Sequence, residues 1–463
     1  MSNIKKRIFH KKNIKYVAVL LTLTLFVIAL TAGAQYYLPD YTITTNNDSD
    51  EIEYIATSGS TSIATSLYSK YACLMDADTG RILIGKNANT QVPMASTTKI
   101  MTLIIALEYG ERDFVCTTSP YAATMPDVQL NAKSKETFVL DDLLYSLMLQ
   151  SHNDSAVIIA ENVALQYITN VRNQKDADIL GITTDATYDF VPDTTNPDSS
   201  FIGSLSKEQS KLLVKVFTGL MNKKAAELGC YNTHFITPNG LDAQEDEKIH
   251  STTPRDLSII MSYCIKNEEF LKITQTPSHS FSRYSVSNAN AFLNMYPNII
   301  SGKTGFTNDA GYCYVCAYTD GERTFIVSLL ACGWPNNKTY KWKDAKKMLN
   351  YARESYFPTQ VVEADTLSHS INIINGLADS ITITNPLEYS MLLSKDDVVN
   401  VTVNAPNYLK APVYNGQNIG SIDIYVNEEL HNSIPLYSGE NVDAKDSNYY
   451  IKSLLNQFLF IDK

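Results

Sequence analysis

The chain has 463 residues, is 44% hydrophobic and carries a formal net charge of −11 at pH 7. This acidic balance argues against a nucleic-acid-binding protein. The seven cysteines are scattered and odd in number, so they indicate no disulfide framework, and the histidines lack the spacing of a metal site. We therefore expect neither a metal nor a cofactor.

The first 39 residues combine a basic start with a long uncharged run. Six Lys and Arg residues lie among the first 15, and no charged residue follows until Asp40. With Ala32-Gly33-Ala34 as a cleavage site, the pattern predicts an export signal at residues 1–39. The run is also nearly long enough to span a bilayer, so a retained membrane anchor is the alternative. Residues 40–67, rich in Ser, Thr and Asn, predict a linker.

A helix of mainly apolar residues is predicted from Ser96 to Leu107, directly after Pro93. Residues three apart share a face, so the Lys99 amine lies beside the Ser96 hydroxyl. A serine needs a nearby base to act as a nucleophile, and a lysine is a base only when neutral. Burial, the helix dipole and a second cation, for which Lys303 is the candidate, lower the pKa of that lysine. Taken alone, these two residues fit a helix cap and a surface lysine better.

A corner between two helices is predicted at Ser151-His152-Asn153, between helical patterns at 138–149 and 154–166. A corner projects side chains into a cleft, where Ser151 can relay a proton to a leaving amine and Asn153 can hold a substrate amide. Serine and asparagine are also ordinary helix-capping residues, and for this motif alone that alternative is the stronger one. We expect His152 to point away from the two outer residues and to be structural.

Three β-strands are predicted next, with a hairpin turn at Asp320-Gly321 between the last two. Their ranges are 299–307, 312–319 and 323–331. The order of these elements places the next motif on a strand that runs beside a hairpin.

That motif is Lys303-Thr304-Gly305, which on its own also fits a simple turn. Gly305 lets a substrate backbone approach the strand closely. The backbone amide of Phe306, together with that of Ser96, can form an oxyanion hole. The three motifs together therefore indicate a serine acyl-transfer site.

The motifs and their surroundings resemble a penicillin-binding D-alanyl-D-alanine carboxypeptidase, a low-molecular-mass serine DD-peptidase. The resemblance runs from about residue 71 to 351 and includes the segments Met75–Arg81, Ala95–Thr102, Thr233–Asp242, Pro254–Asp256 and Gly302–Thr307. It implies an α+β fold of the β-lactamase and transpeptidase type, in which an antiparallel sheet is flanked by helices.

The resemblance also implies a role for each motif residue. Ser96 is the acylated nucleophile, Lys99 is its base and Ser151 is the proton relay. The implied substrate contacts are Asn153, Lys303, Thr304, Gly305, Phe306 and Lys341. Among these, Lys303 and Thr304 bind the carboxylate of the terminal D-alanine, which requires a positive charge and a hydroxyl.

Three features depart from the family pattern. His152 stands where a small residue is common. Lys341 stands where an arginine often helps to hold the carboxylate, so a point charge replaces a bidentate fork. Residues 171–205, rich in Asp, Thr and Asn, look inserted between two family helices and predict a surface loop.

Two domains are predicted after the linker. A catalytic domain spans 68–356 and includes the inserted loop. A smaller β-rich domain spans 357–446, where alternating patterns are joined by hairpin turns at Asn375-Gly376 and Asn415-Gly416. This second domain resembles the C-terminal domain of the same family.

The last residues, 447–463, predict an amphipathic helix. Its apolar stripe consists of Ile451, Leu454, Leu455 and Phe458. A helix of this kind can lie on a membrane surface, and family members often have such a helix. Alternatively, it can pack on the β-rich domain. The two alternatives are about equal, because the polar face lacks the usual cations.

The predicted function is that of an exported serine D-Ala-D-Ala carboxypeptidase, at the outer face of the bacterial membrane or secreted. It trims peptidoglycan stem peptides that end in D-Ala-D-Ala and is acylated by β-lactams. One alternative is a β-lactamase, although no Glu in a recognisable context for priming water lies between the second and third motifs. Another is a catalytically silent wall-binding or penicillin-sensing protein. The sequence does not separate carboxypeptidase from endopeptidase or transpeptidase activity.

Overall fold

A computed structural model of the chain describes residues 52–57, 59–174, 189–192, 198–364, 368–385 and 387–458. The predicted export segment at 1–39 lies outside the described residues, as do residues 40–51 and 58 of the linker and part of the 171–205 insertion. The last five residues of the predicted terminal helix also lie outside them.

The helices lie mostly in the first 355 residues. In chain order they are α1 (Thr61–Thr65), α2 (Lys99–Tyr109), α3 (Leu140–Leu149), α4 (Asn153–Gln174), α5 (Lys207–Glu227), α6 (Pro254–Cys264), α7 (Glu268–Gln275), α8 (Phe292–Met295), α9 (Tyr340–Ser355) and α10 (Ser447–Phe458). Shorter 3₁₀ turns cover Ala95–Thr98, Ala122–Thr124 and Ser199–Ser204.

The strands divide into an early and a late group. The early strands are β1 (Tyr54–Ile55), β2 (Tyr71–Asp76), β3 (Ile82–Lys86), β4 (Val92–Pro93), β5 (Val115–Thr117), β6 (Thr137–Val139), β7 (Gln244–Glu245), β8 (Lys248–Ile249), β9 (Ser251–Thr252), β10 (Ser278–Phe281), β11 (Tyr284–Ser287), β12 (Ile299–Thr307), β13 (Gly311–Thr319) and β14 (Thr324–Leu330). The late strands are β15 (Phe357–Val362), β16 (Ser368–Ile374), β17 (Ser380–Thr384), β18 (Tyr389–Leu393), β19 (Val399–Asn404), β20 (Tyr408–Lys410), β21 (Asn418–Val426) and β22 (Glu429–Tyr437).

The main sheet has the strand order β1-β3-β2-β14-β13-β12, and all neighbours are antiparallel. The predicted hairpin at Asp320-Gly321 is confirmed, because β13 and β14 pair with Thr319 opposite Thr324. On its other side β13 pairs with β12, with Lys303 opposite Val315 and Gly305 opposite Cys313. Within the described residues β12 is one of the two edge strands of this sheet. The third motif therefore borders a free strand edge, where an extended peptide can add by main-chain hydrogen bonds.

Helices cover both faces of this sheet. On one face α2, α3, α4 and α6 pack into a large apolar cluster that includes Leu103, Leu144 and Ile158. On the other face α9 packs through Met348 and Leu349. The predicted class, an antiparallel sheet flanked by helices, is confirmed.

Two of the predicted segments need correction. Phe138 belongs to β6, so the helix predicted from that residue begins at Leu140. The residues predicted as a surface loop at 171–205 are partly buried where they are described, since Val191 and Ile202 lie in the large apolar cluster. These two apolar residues are buried although the stretch around them is mainly polar.

The late strands form a separate apolar core. Strand β21 lies between β19 and β22, and β16 lies between β17 and β20. Isoleucines that alternate along these strands, such as Ile371, Ile381, Ile422 and Ile424, are buried together. This is the β-rich C-terminal domain that the alternating sequence pattern predicted. Asn375-Gly376 lies between the paired strands β16 and β17, whereas the hairpin predicted at Asn415-Gly416 is wrong, because β20 and β21 belong to different sheets.

Helix α10 ends the described chain with its apolar residues in solvent. No residue of α10 is buried, and Ile451, Leu454 and Phe458 are 54%, 57% and 83% exposed. The apolar stripe therefore does not pack on the β-rich domain in the described part of this helix, whose contact with that domain is a hydrogen bond from the Tyr450 hydroxyl to Asn375 Oδ1 at 2.7 Å. No helix among the described residues is long and apolar enough to cross a membrane.

Candidate active site

The nucleophile candidate Ser96 lies in a 3₁₀ turn that leads into α2. The turn spans Ala95–Thr98, and the α-helix begins at Lys99. Ala95 has a φ of +48°, a left-handed conformation that is unfavourable for a residue with a side chain. The buried Thr98 hydroxyl, at 2.8 Å from Nε2 of His250, helps to hold the turn. Ser96 thus lies directly before the N-terminus of a mainly buried helix.

The Lys99 amine is fully buried and lies among three oxygens. Its Nζ is 3.0 Å from Ser96 Oγ, 2.9 Å from Asn153 Oδ1 and 2.5 Å from the backbone oxygen of Asn239. The structure therefore brings the first and second motifs into direct contact, as the sequence predicted.

These three oxygens differ in what they can do. The Asn153 and Asn239 oxygens only accept hydrogen bonds, whereas the Ser96 hydroxyl can also donate one. A neutral amine has two hydrogens and one lone pair. It can therefore donate to both asparagine oxygens and accept from Ser96, which is the arrangement that a base needs before it takes the serine proton.

The electrostatics favour this neutral form. Burial lowers the pKa of Lys99 well below its ordinary value, and the positive charge of Lys303 lowers it further. The carboxylate of Asp154 acts in the opposite direction. The predicted effect of the second cation on the base is thus present in the structure.

Lys303 connects the third motif to the second. Its Nζ donates to Ser151 Oγ at 2.8 Å and to the backbone oxygen of Thr304 at 2.9 Å. Burial lowers the pKa of Lys303 to about 7. This amine changes its charge near neutral pH, in contact with the candidate proton relay.

The second motif forms the sharp corner that the sequence predicted. Helix α3 ends at Leu149 and α4 begins at Asn153, and Ser151 between them has a φ of +65°. The Asn153 amide side chain donates to the backbone oxygens of Pro126 and Asp127 at 3.1 Å. Both outer residues of the motif therefore reach the lysines, and the corner is fixed by the neighbouring loop.

His152 bonds into the protein interior. Its Nδ1 is 2.8 Å from Oγ of Ser146, which in turn is 2.7 Å from Oγ of Ser155. Burial lowers the pKa of His152 to about 4, so the ring is neutral at physiological pH. This placement agrees with the structural role predicted for it.

Two glycines lie against the backbone of the nucleophile. A Cβ at Gly305 would lie 2.8 Å from the Ser96 nitrogen, and one at Gly240 would lie 2.1 Å from the Ala95 oxygen. Gly240 also has a φ of +85°. The strand and the 236–241 loop can therefore approach the Ser96 amide only because these positions lack side chains. Phe306, whose amide is the second predicted oxyanion donor, follows directly on the strand.

Lys341 lies behind the strand edge. Its Nζ donates to the Lys338 backbone oxygen at 2.7 Å and lies 4.6 Å from the ring centre of Tyr312. Tyr312 pairs with Phe306 across the ladder, and their rings are 4.7 Å apart. Lys341 is thus near the third motif but bonds to the turn that precedes its own helix, and its contact with a carboxylate stays a prediction.

Sequence reasoning missed two residues that surround the base. Asn239 acts through its backbone oxygen, which no side-chain pattern can indicate, although its segment was among those that resemble the family. Asp154 accepts from the backbone nitrogens of Leu130 and Ala132 at 2.9 and 3.1 Å and so holds the loop beside Asn153. A carboxylate at the first turn of a helix was the available signal for Asp154.

A serine beside a buried lysine, at the edge of an antiparallel sheet, defines a serine acyl-transfer enzyme. Residues 58–191 and 213–332 match the D-alanyl-D-alanine carboxypeptidase family, peptidase family S11, and residues 356–444 match the C-terminal domain of penicillin-binding protein 5. The chain belongs to this family of D-alanyl-D-alanine carboxypeptidases and is a serine hydrolase of that type. The predicted family and reaction are confirmed, and the β-lactamase and the silent binding protein are not favoured.

Individual relatives give the same result. The chain is 25% identical over 366 residues to D-alanyl-D-alanine carboxypeptidase DacF of Bacillus subtilis, a match that covers 76% of this chain and 80% of the relative. It is 26% identical over 365 residues to DacA of Haemophilus influenzae, covering 75% and 79% of the two chains.

Solved structures share the fold. Penicillin-binding protein 5 from Haemophilus influenzae superposes with a TM-score of 0.60 at 21% identity, covering 82% of this chain and 98% of that one. The carboxypeptidase DacD from Francisella tularensis gives a TM-score of 0.56 at 23% identity, with 82% and 95% coverage.

Proposed function

We propose that Ser96 carries the acyl-enzyme through which this enzyme removes the terminal D-alanine from peptidoglycan stem peptides. The observation that carries the proposal is the set of oxygens around Lys99, which leaves the lone pair of a neutral amine for the Ser96 hydroxyl. The Ser96 proton moves to Lys99 while Oγ attacks the scissile carbonyl. β-Lactams acylate the same oxygen.

The other motif residues act on the developing oxyanion and on the leaving amine. The Ser96 and Phe306 amides stabilise the developing oxyanion. The amine of the departing D-alanine takes its proton from Ser151, whose Oγ is bonded to Lys303, and Ser151 in turn regains the proton that Lys99 removed from Ser96. Water then attacks the acyl-enzyme, and the ester bond to Ser96 breaks as its oxygen regains a proton.

Substrate binding follows from the free strand edge and the charges beside it. Lys303 and Thr304 hold the terminal carboxylate, with Lys341 as a further cation behind them. Gly305 allows the peptide to lie along β12 as an added strand. Asn153 is assigned the substrate amide on the other side of the scissile bond, and its side chain must exchange one of its present bonds to Lys99, Pro126 and Asp127 to make that contact.

The reaction is tested by incubating residues 52–463 with a peptide ending in D-Ala-D-Ala and, separately, with labelled penicillin. We expect D-alanine release and stable labelling in the wild type and in the control Ser62→Ala, an exposed serine on α1, and neither in Ser96→Ala. Rapid loss of the label with drug hydrolysis would instead indicate a β-lactamase. Absence of both label and release in the wild type would indicate a silent binding protein.

We also propose that the enzyme is exported and lies on the extracellular face of the cytoplasmic membrane. Residues 1–39 have the sequence of a signal or anchor, and the family acts on the cell wall. Helix α10 offers the membrane an apolar stripe, with Tyr449 and Tyr450 at its start. The catalytic domain at 68–356 and the β-rich domain at 357–446 would then stand outside the cell.

The membrane contact is tested with residues 52–463 and vesicles of phosphatidylethanolamine and phosphatidylglycerol. We expect co-sedimentation that Leu454→Asp abolishes and that Asn456→Asp, a change of charge on the same exposed helix, weakens only slightly. Equal binding by both variants would remove α10 from the membrane contact.

A further inference from the structure

A buried histidine, His250, lies between two segments that flank the catalytic lysine. It directly precedes β9, which pairs with β4 shortly before the 3₁₀ turn Ala95–Thr98. The residue is 2% exposed. Its ring contacts the 236–241 loop on one side and Thr98 on the other. The mechanism described above gives this ring no role.

The hydrogen bonds determine which nitrogen of the ring carries the proton. Nδ1 accepts from the backbone nitrogens of Ile236 and Thr237 at 3.0 and 3.3 Å, so it has no hydrogen of its own. A neutral imidazole then carries its hydrogen on Nε2, which lies 2.8 Å from Thr98 Oγ1. That hydroxyl in turn donates to the Ala95 backbone oxygen at 2.8 Å. A continuous path of hydrogen bonds therefore joins the loop to the residue before Ser96.

Both ends of this path reach the catalytic groups. In the loop, Asn239 offers its backbone oxygen to the Lys99 amine at 2.5 Å. In the turn, Ala95 has its left-handed conformation, and the next residue is Ser96, whose amide is an oxyanion donor in the proposed reaction. A shift of the ring would therefore move the acceptor beside the base and the amide of the nucleophile together.

The ring can make these bonds only while it is neutral, because a hydrogen on Nδ1 would face the hydrogens of the loop amides. Burial, together with the charges of His234 and Lys99, lowers the pKa of His250 to about 3. The ring therefore stays in this form at neutral pH.

We propose that His250 is a positioning residue that holds the 236–241 loop against the turn of Ser96. At one end it keeps the Asn239 oxygen on Lys99, and at the other it keeps the Ser96 amide in place for the scissile carbonyl. This inference rests on the proposed function, because it uses the roles assigned to Ser96 and Lys99. A displacement of about 1 Å at either end can slow such a reaction by up to about 100-fold.

Two amide variants separate the two ends of the path. In His250→Asn the side-chain oxygen lies near the position of Nδ1 and can accept from the loop, but no group reaches Thr98. In His250→Gln the side-chain nitrogen lies near the position of Nε2 and can donate to Thr98, but the loop amides lose their acceptor. We expect acylation of Ser96 by labelled penicillin to slow by about tenfold in each variant.

The dependence of the acylation rate on pH distinguishes positioning from a general loss of stability. In His250→Gln the loop moves away from Lys99 and water enters, so part of the burial that lowers the pKa of Lys99 is lost. The acidic limb of the pH-rate profile should therefore move up by about one pH unit in this variant. It should stay in place in His250→Asn, because the loop keeps its acceptor. Neither variant changes Lys303 or Asp154, the two charged groups that also act on Lys99.

Variants of Thr98 test the same path without a change of the histidine. Thr98→Val removes the hydroxyl and should slow acylation about as much as His250→Asn, whereas Thr98→Ser should recover most of the rate. The double variant that combines His250→Asn with Thr98→Val should be no slower than either single variant, because both changes break the same path. His279→Asn removes a partly exposed histidine from its pair with Asp142 and is the control, which should change neither the rate nor the pH profile.

The outcomes distinguish this inference from the proposed function. A normal rate in His250→Asn or His250→Gln, or additive losses in the double variant, would overturn the positioning role while Ser96 is still labelled in the wild type. A slower His250→Gln with an unmoved acidic limb would overturn the contact between the loop and the base. If the His250 variants do not fold, a normal rate in Thr98→Val would overturn the inference instead. If the wild type takes no label on Ser96, the proposed function itself fails.

Discussion

Lys99 and Lys303 are buried amines whose proposed roles require opposite charge states. Lys99 must be neutral to take the Ser96 proton, and Lys303 must be charged to hold a carboxylate. The structure couples them, because the charge of Lys303 lowers the pKa of Lys99. The positive charge of Lys303 therefore favours the neutral form of Lys99. Because Lys303 is buried, the same charge lowers the free energy of unfolding.

That cost has a measurable dependence on pH. The pKa of Lys303 is about 7 in the folded state, below the ordinary value of about 10.4 for a lysine in an unfolded chain. Between these values the unfolded state binds more protons, so the contribution of Lys303 makes the free energy of unfolding rise with pH. Below pH 7 the destabilisation is fully present.

We expect Lys303→Met to be more stable than the wild type by about 1–3 kcal/mol at pH 6, and by progressively less towards pH 10. Urea unfolding at several pH values measures the difference, and Lys346→Met, an exposed lysine on α9, serves as the control. D-alanine release by Lys303→Met should be strongly reduced at every pH. A stability difference that does not change with pH would contradict the buried-charge explanation.

At the residue scale the sequence predicted most of the site. Ser96, Lys99, Ser151, Asn153 and Lys303 lie together as their motifs indicated. The backbone oxygen of Asn239 could not be predicted, because any residue type can supply a carbonyl and only the fold of the loop places it.

Two elements meet at the amide of the nucleophile, the 3₁₀ turn of Ser96 and the loop that contains Gly240. A side chain at Gly240 would collide with the Ala95 oxygen at 2.1 Å. Gly321, in the hairpin turn between β13 and β14, has a similar φ of +93° but open space around it. Substitutions at the two glycines therefore distinguish the cost of a positive φ from the cost of a steric collision.

We expect Gly321→Ala to destabilise the protein by about 1–2 kcal/mol through its positive φ alone. Gly240→Ala should cost about 1–3 kcal/mol more, since the loop or the turn must shift, and it should slow penicillin acylation at least about tenfold. Urea unfolding and labelling rates measure both effects. Equal stability losses with normal acylation in Gly240→Ala would show that the loop does not position Ser96.

Prediction of the elements succeeded where local signals were strong. The hairpin with Asp320-Gly321 and the corner at Ser151 follow from turn residues, which act locally. Burial of Val191 and Ile202 was not predicted, because a polar, Asp- and Thr-rich stretch gives no periodic pattern and its packing depends on distant helices.

The molecule as a whole is joined by an ion pair between its two folded regions. Arg81, in the turn between β2 and β3, pairs with Asp397 in the loop before β19, and both side chains are buried. Arg81 also donates to the Leu392 oxygen at 2.8 Å, and Asp397 accepts from Ser394 and Asn427. The partners are 316 residues apart, so sequence alone gave no indication of the contact.

We expect Arg81→Met to destabilise the protein by about 3–5 kcal/mol, since it leaves the Asp397 carboxylate buried without its partner. Calorimetry should then separate one unfolding transition into two, as the β-rich region loses its attachment. Arg283→Met removes an exposed pair with Glu136 and should cost less than about 1 kcal/mol. A similar small loss for Arg81→Met would mean that the two regions are not coupled through this pair.

The identity of the acylated residue tests the central claim most directly. The wild-type protein is treated with penicillin, digested and analysed by mass spectrometry to locate the penicilloyl adduct. Our account predicts the adduct on Ser96 in the wild type, on Ser96 with slower formation in Ser151→Ala, and nowhere in Ser96→Ala. An adduct on any other residue, or one that persists in Ser96→Ala, would contradict it.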